Sequence, residues 1–106
     1  MLIAWTTVEK RADADNLARE VIARGLAVCV QIDGPITSHY RWDGRNEIAQ
    51  EFRLAFKLLP SSLAPLESWV LANHPYETPE WLVVASERVG EKYLSWATAN
   101  SSTRPL

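Results

Sequence analysis

The run His74-Pro75-Tyr76-Glu77-Thr78-Pro79-Glu80 holds an imidazole, a phenol and two carboxylates, and a lone cysteine, Cys29, stands far upstream. Imidazole and carboxylate suit a borderline divalent ion such as copper or zinc, and a thiolate would add a soft donor. His74, Glu77 and Cys29 are therefore the candidate metal ligands. Each also has a structural reading, which is the favoured one. Pro75 and Pro79 fix their own φ at about −65° and push the residues before them toward extended geometry. In so stiff a segment the i, i+3 spacing does not bring His74 and Glu77 to one side. His74 would then cap the helix before it, and Glu77 would bond backbone amides at a subunit junction. Cys29 lies between Val28 and Val30, and buried thiols are usually inert packing. His39 reads as an exposed or interfacial histidine on a strand.

Glu47, Glu51, Glu77 and Glu80 raise the question of paired-carboxylate hydrolysis. No phosphate-cradling glycine loop, nucleophile triad or His-Glu-x-x-His spacing accompanies them. The expectation is a protein that is not an enzyme and requires no cofactor.

Positioning these side chains falls to a chain of 106 residues, enough for one domain. With 11 basic and 13 acidic residues, and no basic cluster longer than Lys10-Arg11, the chain lacks the footprint of a nucleic-acid binder. The apolar start at residues 1–5 is too short for an export or membrane segment. A single cysteine precludes an internal disulfide, so a cytoplasmic setting is expected. Five tryptophans are many for this length, and tryptophan is enriched at interfaces. Tyr40, Trp42, Tyr76, Trp81 and Trp96 are the expected interface or cleft residues, with Trp69 adding to the hint of oligomerisation.

Residues 2–8 are β-rich. Asp13 and Asp15 open a helix whose apolar stripe is Ala14, Leu17, Ala18, Val21 and Ile22, stopped at Gly25. Residues 28–32 and 36–42 read as extended, separated by Asp33-Gly34-Pro35, and Asp43-Gly44 is a two-residue hairpin turn. Residues 52–58 alternate as a third strand. A two-residue loop pairs Trp42 with Arg45, and the same register carried back puts Val30 and Ile32 on the face opposite Phe52, Leu54 and Phe56. One core face cannot hold both sets, so a β-bulge is expected near Asp33-Gly34-Pro35. Ser61 or Ser62 caps a second helix with Leu63, Leu66 and Val70 inward, ended at 73–75. A fourth strand over 81–88 and a helix over 91–99 follow, and residues 100–106 read as a loose tail.

The order is β-α-β-β-α-β plus a terminal helix, an α+β ferredoxin-like (split βαβ) fold for residues 1–99 as a single domain. Helices cover one face of such a sheet. The other, here apolar, needs a second subunit, and the long strands around Asp43-Gly44 would project to pair with neighbours.

Four segments resemble the CutA family of divalent-cation tolerance proteins. They are Gly25-Leu26-Ala27-Val28-Cys29-Val30, Ile36-Thr37-Ser38-His39-Tyr40-Arg41-Trp42-Asp43-Gly44-Arg45, His74-Pro75-Tyr76-Glu77-Thr78-Pro79-Glu80 and Tyr93-Leu94-Ser95-Trp96. The chain departs from the family pattern at Trp5 and Asn73, where some members carry cysteine and a second histidine. The resemblance implies a homotrimer similar in architecture to PII signalling proteins, acting in divalent-cation (copper) tolerance or binding, with no nucleic acid or membrane partner. Metal would be held by His74, Glu77 and Cys29 near a subunit junction. The alternatives are a PII-like sensor whose inter-subunit clefts, lined by Trp, Tyr, Arg41 and Gln50, take an anionic metabolite, and a purely structural trimeric module.

Overall fold

Strand alternation decides which side chains reach the core, and it does so through β1 (Leu2–Val8), β2 (Cys29–Trp42), β3 (Arg45–Leu58) and β4 (Leu82–Ala85). The helices are α1 (Arg11–Ala23), α2 (Leu63–Asn73) and α3 (Glu91–Ala99). These elements come from a computed structural model that describes residues 1–101. All pairings are antiparallel in the order β2-β3-β1-β4, the ferredoxin-like α+β arrangement. No helix among the described residues is long and apolar enough to cross a membrane.

Val30, Phe56, Ala4 and Val83 form one row across the four strands and face α1 and α2. Leu17 and Val21 of α1 and Leu66 and Val70 of α2 close the core over them. The neighbouring rows, Cys29-Lys57-Ile3-Val84 and Gln31-Ala55-Trp5-Leu82, face the other way. Leu82 and Val84 on that face are 58% and 44% exposed, so an apolar sheet surface lies uncovered within one chain.

The expected bulge is present. Asp33 pairs with Arg53 but Ile36 pairs with Glu51, so β2 spends three steps against two on β3. That extra residue returns Val30 and Ile32 to the core face. The strand runs through the bulge rather than breaking into two pieces. Asp43 and Gly44 both hold positive φ, 53° and 74°, as a type I′ hairpin turn requires. α1 ends as its sequence suggests: Gly25 takes φ 68°, and the Gly25 and Leu26 amides bond the carbonyls of Ile22 and Val21, a Schellman closure.

Three boundaries differ from expectation. α1 begins at Arg11, leaving Asp13 inside its first turn. Ser62 stands at the start of α2, but its side chain makes no capping bond; a 3-10 turn over Pro60–Ser62 leads the chain in instead. β4 covers Leu82–Ala85 rather than 81–88, because its partner β1 has no residues left to pair beyond Leu2. The Ser86 amide and hydroxyl take the Met1 carbonyl and end the ladder. α3 matches its expected span, and Asn100 closes it with a side-chain bond to the Trp96 carbonyl. Of the tail expected to be loose, residues 102–106 lie outside the described residues.

Candidate functional site

β1 ends opposite Phe52, while β2 and β3 continue to the turn at Asp43-Gly44. Residues 36–51 therefore form a two-stranded arm. On one side of it stand Ser38, Tyr40 and Trp42 from β2, in register with Ala49, Glu47 and Arg45, and Ile36 beside Glu51. The connector from α2 to β4, residues 74–81, passes near this side. Between arm and connector lies a cleft of about 620 Å³. The arm contributes Ser38, His39, Tyr40, Trp42 and Glu51, the connector Tyr76, Glu77, Thr78 and Glu80, and β1 contributes Thr7.

The connector is pinned by a directional chain of hydrogen bonds. The Tyr76 backbone N–H donates to His74 Nδ1 at 3.0 Å. With Nδ1 accepting, the neutral ring carries its proton on Nε2, which donates to Thr6 Oγ1 at 2.9 Å. The Thr6 hydroxyl in turn donates to the Glu80 carbonyl at 2.7 Å. Both imidazole nitrogens are thus occupied, and His74 ties the two ends of the connector to the buried Thr6 of β1. His74 stands at the C-cap position of α2 in extended geometry, while the side chain of Asn73, the last helical residue, donates to the Trp69 carbonyl at 2.8 Å.

Burial lowers the His74 pKa from its ordinary 6.5, against smaller opposing contributions from the Thr7 backbone, Asp13 and Glu51. The folded state therefore binds the proton less readily than the unfolded chain. Its contribution to stability is fully present above pH 6.5 and is lost as pH falls through the folded-state value. Thermal melts between about pH 7.5 and 5 will show a declining midpoint over that window, shallower in His74→Gln; equal slopes for both proteins would exclude the imidazole as the source.

Glu51 is buried to 8% exposure, and its Oε2 accepts the Tyr76 hydroxyl at 2.9 Å. Burial first, and then the bond to Glu51, push the Tyr76 phenol well above its ordinary range, so it stays a donor. Rings of His74 and Tyr76 stand 5.0 Å apart, continuing the contact from β1 to the arm.

Of the expected residues, Tyr40, Trp42, Tyr76 and Glu77 meet at the cleft. Trp81 lies elsewhere: its ring packs 6.0 Å from Phe56, and its Nε1 donates to Glu67 of α2 at 2.6 Å. Trp96 lies on α3, stacked 5.5 Å from Tyr93 and 45% exposed. Cys29 is half-buried on the uncovered face of the sheet, three strand positions from the Thr6 row and on its opposite side. That offset is about 10 Å along the strand alone. His74 and Cys29 therefore do not converge within one chain, and among the described residues no three histidine, cysteine or acidic side chains form a metal-holding group. Arg41 and Gln50 are not among the residues lining the cleft; they donate to the Gly44 carbonyl and the Thr37 hydroxyl. Sequence reasoning missed Thr6 altogether, and it considered Glu51 and Glu80 only as hydrolytic carboxylates. An alternating strand with a lone glutamate just beyond its apolar half was the only signal that Glu51 is buried.

Comparison with known proteins identifies the family and the fold. Residues 2–100 match the model of a family described as CutA1 divalent ion tolerance protein. The chain is 35% identical over 99 residues to a divalent-cation tolerance protein CutA of Yersinia pestis, an alignment covering 93% of this chain and 83% of that protein. Its fold is similar to CutA of Synechococcus elongatus, with TM-score 0.91, 35% identity, and 95% and 89% of the two chains covered. It is also similar to the divalent cation tolerance protein of Thermus thermophilus, with TM-score 0.90, 31% identity, and 96% and 100% covered.

Proposed function

This chain belongs to the CutA1 divalent ion tolerance family, and on that premise we propose that it acts in tolerance of divalent cations, copper among them, as a homotrimer. The uncovered sheet face carries the proposal. The exposed Leu82 and Val84, with half-buried Trp5 and Ile3 paired beside them, form an apolar surface on strands β1 and β4, with β4 at the sheet edge. A surface of this kind, beside an edge strand with unpaired backbone, favours a second chain over water. The cation is cargo in this reading, not a resident cofactor. His74 does not fit as a ligand, because both its nitrogens are already bonded. Cys29 on the apolar sheet face and, separately, Glu77 and His39 at the cleft are the donors left available, of types suited to copper or zinc.

Sedimentation velocity tests the assembly: one species of three chains is expected, and Leu82→Lys with Val84→Lys should release smaller ones. A parent protein that sediments as a monomer at micromolar concentration rejects it. Calorimetry with copper(II) tests the cargo, with redox-inert zinc beside it to separate coordination from thiol oxidation. Heat should persist in His74→Ala and fall in Cys29→Ser; no heat with either metal would end the metal-binding part of the proposal.

A further inference from the structure

The charge and surface of the arm–connector cleft suit a cation better than the anionic metabolite that the sequence offered as an alternative for inter-subunit clefts. Among the described residues no lysine or arginine lines it, whereas Glu51, Glu77 and Glu80 do. Tyr40, Trp42 and Tyr76 supply aromatic surface in the same space. Carboxylates beside aromatic faces are the combination that recognises an organic cation: the ring quadrupole and the negative charge attract it, and neither demands that it keep its water. A second feature points the same way. Glu51 is more than nine-tenths buried, and its Oε2 is bonded to Tyr76. Glu51 itself lines the cleft, so its carboxylate stands at the cleft wall with Tyr76 as its side-chain donor. A largely desolvated carboxylate in a cleft wall gains most when a cation reaches it.

The volume sets the size class. About 620 Å³ lies within the ordinary range of small-molecule sites, too large for a bare metal ion and suited to a compact alkylammonium or guanidinium compound.

We propose that this cleft binds a small free organic cation, with Glu51 as its buried counter-charge and Trp42 and Tyr40 as its aromatic walls. Tyr76 serves as the fixed donor that orients Glu51 from the connector side. Trp42 is 54% exposed in the single chain, so a bound cation would change both its environment and its emission.

The test uses the full chain in its assembled state, in phosphate buffer free of amines and with EDTA present, so that metal plays no part. Choline chloride and arginine are titrated by calorimetry and by tryptophan fluorescence to about 50 mM, with sodium chloride as the ionic-strength control and sodium succinate as the anionic arm. Saturable binding of a cation, absent with sodium chloride and succinate, is expected. Trp42→Ala and Glu51→Gln should each weaken it roughly tenfold or more. Trp42 lies on the exposed arm, so its variant tests the site even where Glu51→Gln fails to fold. No saturable signal with either cation, binding of succinate instead, or unchanged affinity in Trp42→Ala would overturn the assignment. A cleft filled by a neighbouring subunit would give the first of these results. Because metal is excluded throughout, the outcome is independent of whether copper binds elsewhere.

Discussion

Gly34→Ala is expected to destabilise the protein by about 2–4 kcal/mol, a large effect for the addition of one methyl group. Gly34 holds φ +138°, a region L side chains rarely adopt. A Cβ there would stand 2.9 Å from the Glu51 carbonyl oxygen, 3.0 Å from Phe52 Cδ1 and 3.1 Å from Phe52 Cα. Two of those atoms are backbone on the paired strand and cannot swing aside. Relief requires β2 to lift from β3 at the bulge, the one place that sets which face Val30 and Ile32 occupy. The consequence also reaches the cleft, since Glu51 is the residue opposite the bulge's far end. Urea midpoints compared at equal protein concentration measure the loss. Amide exchange should show the added opening concentrated in 28–37 and 49–54; a midpoint unchanged from the parent would mean the bulge has room that its geometry denies.

Thr6→Val is the second large effect, again about 2–4 kcal/mol. Valine keeps the shape of threonine, so no cavity opens, and the cost is confined to hydrogen bonding. Thr6 is fully buried and serves two partners, accepting from His74 Nε2 and donating to the Glu80 carbonyl. Both would be stranded, and each unsatisfied buried group costs about 1–3 kcal/mol. Thr6→Ser retains the hydroxyl and should recover most of the loss. If the serine variant unfolds at lower urea than the valine variant, packing of the methyl rather than the hydrogen-bond chain explains Thr6. NMR titration of the His74 imidazole adds a local readout, because losing its Nε2 acceptor changes the ring's proton affinity without touching the fold elsewhere.

Much of the fold is legible in the amino-acid order because its causes are local. Gly25 closes α1, and Asp43-Gly44 turns the arm, since each needs positive φ. Strand parity is also readable. Counting back from the turn shows a conflict between Val30 and Phe56 that only one extra residue can cure, and the bulge between Asp33 and Ile36 supplies it. The fourth strand was less readable. Its length is set by where the distant β1 begins, as the Leu82–Trp5 and Ala85–Leu2 pairings show, rather than by its own β-rich composition.

The site divides along the same line. Tyr40, Trp42, Tyr76 and Glu77 could be picked out by residue type and by the stiff setting of the connector. Thr6 could not, because its partners lie 68 and 74 positions away, nor the role of Glu51, whose phenol partner is 25 away. His74 shows the difference most clearly. Residue type and neighbouring prolines make it a plausible ligand, and nothing in its local sequence reveals that Thr6 takes its free nitrogen.

Turns, the glycine stop of α1, strand parity and family membership were decided by the sequence itself, since dihedral preference and side-chain period act over a few residues. The tertiary structure alone decided that His74 is a fastening, that Cys29 faces away from it, and that the cleft is acidic rather than basic. Those outcomes depend on which distant groups arrive at each buried donor and acceptor, and desolvation leaves each such group only the partners that folding brings within about 3 Å.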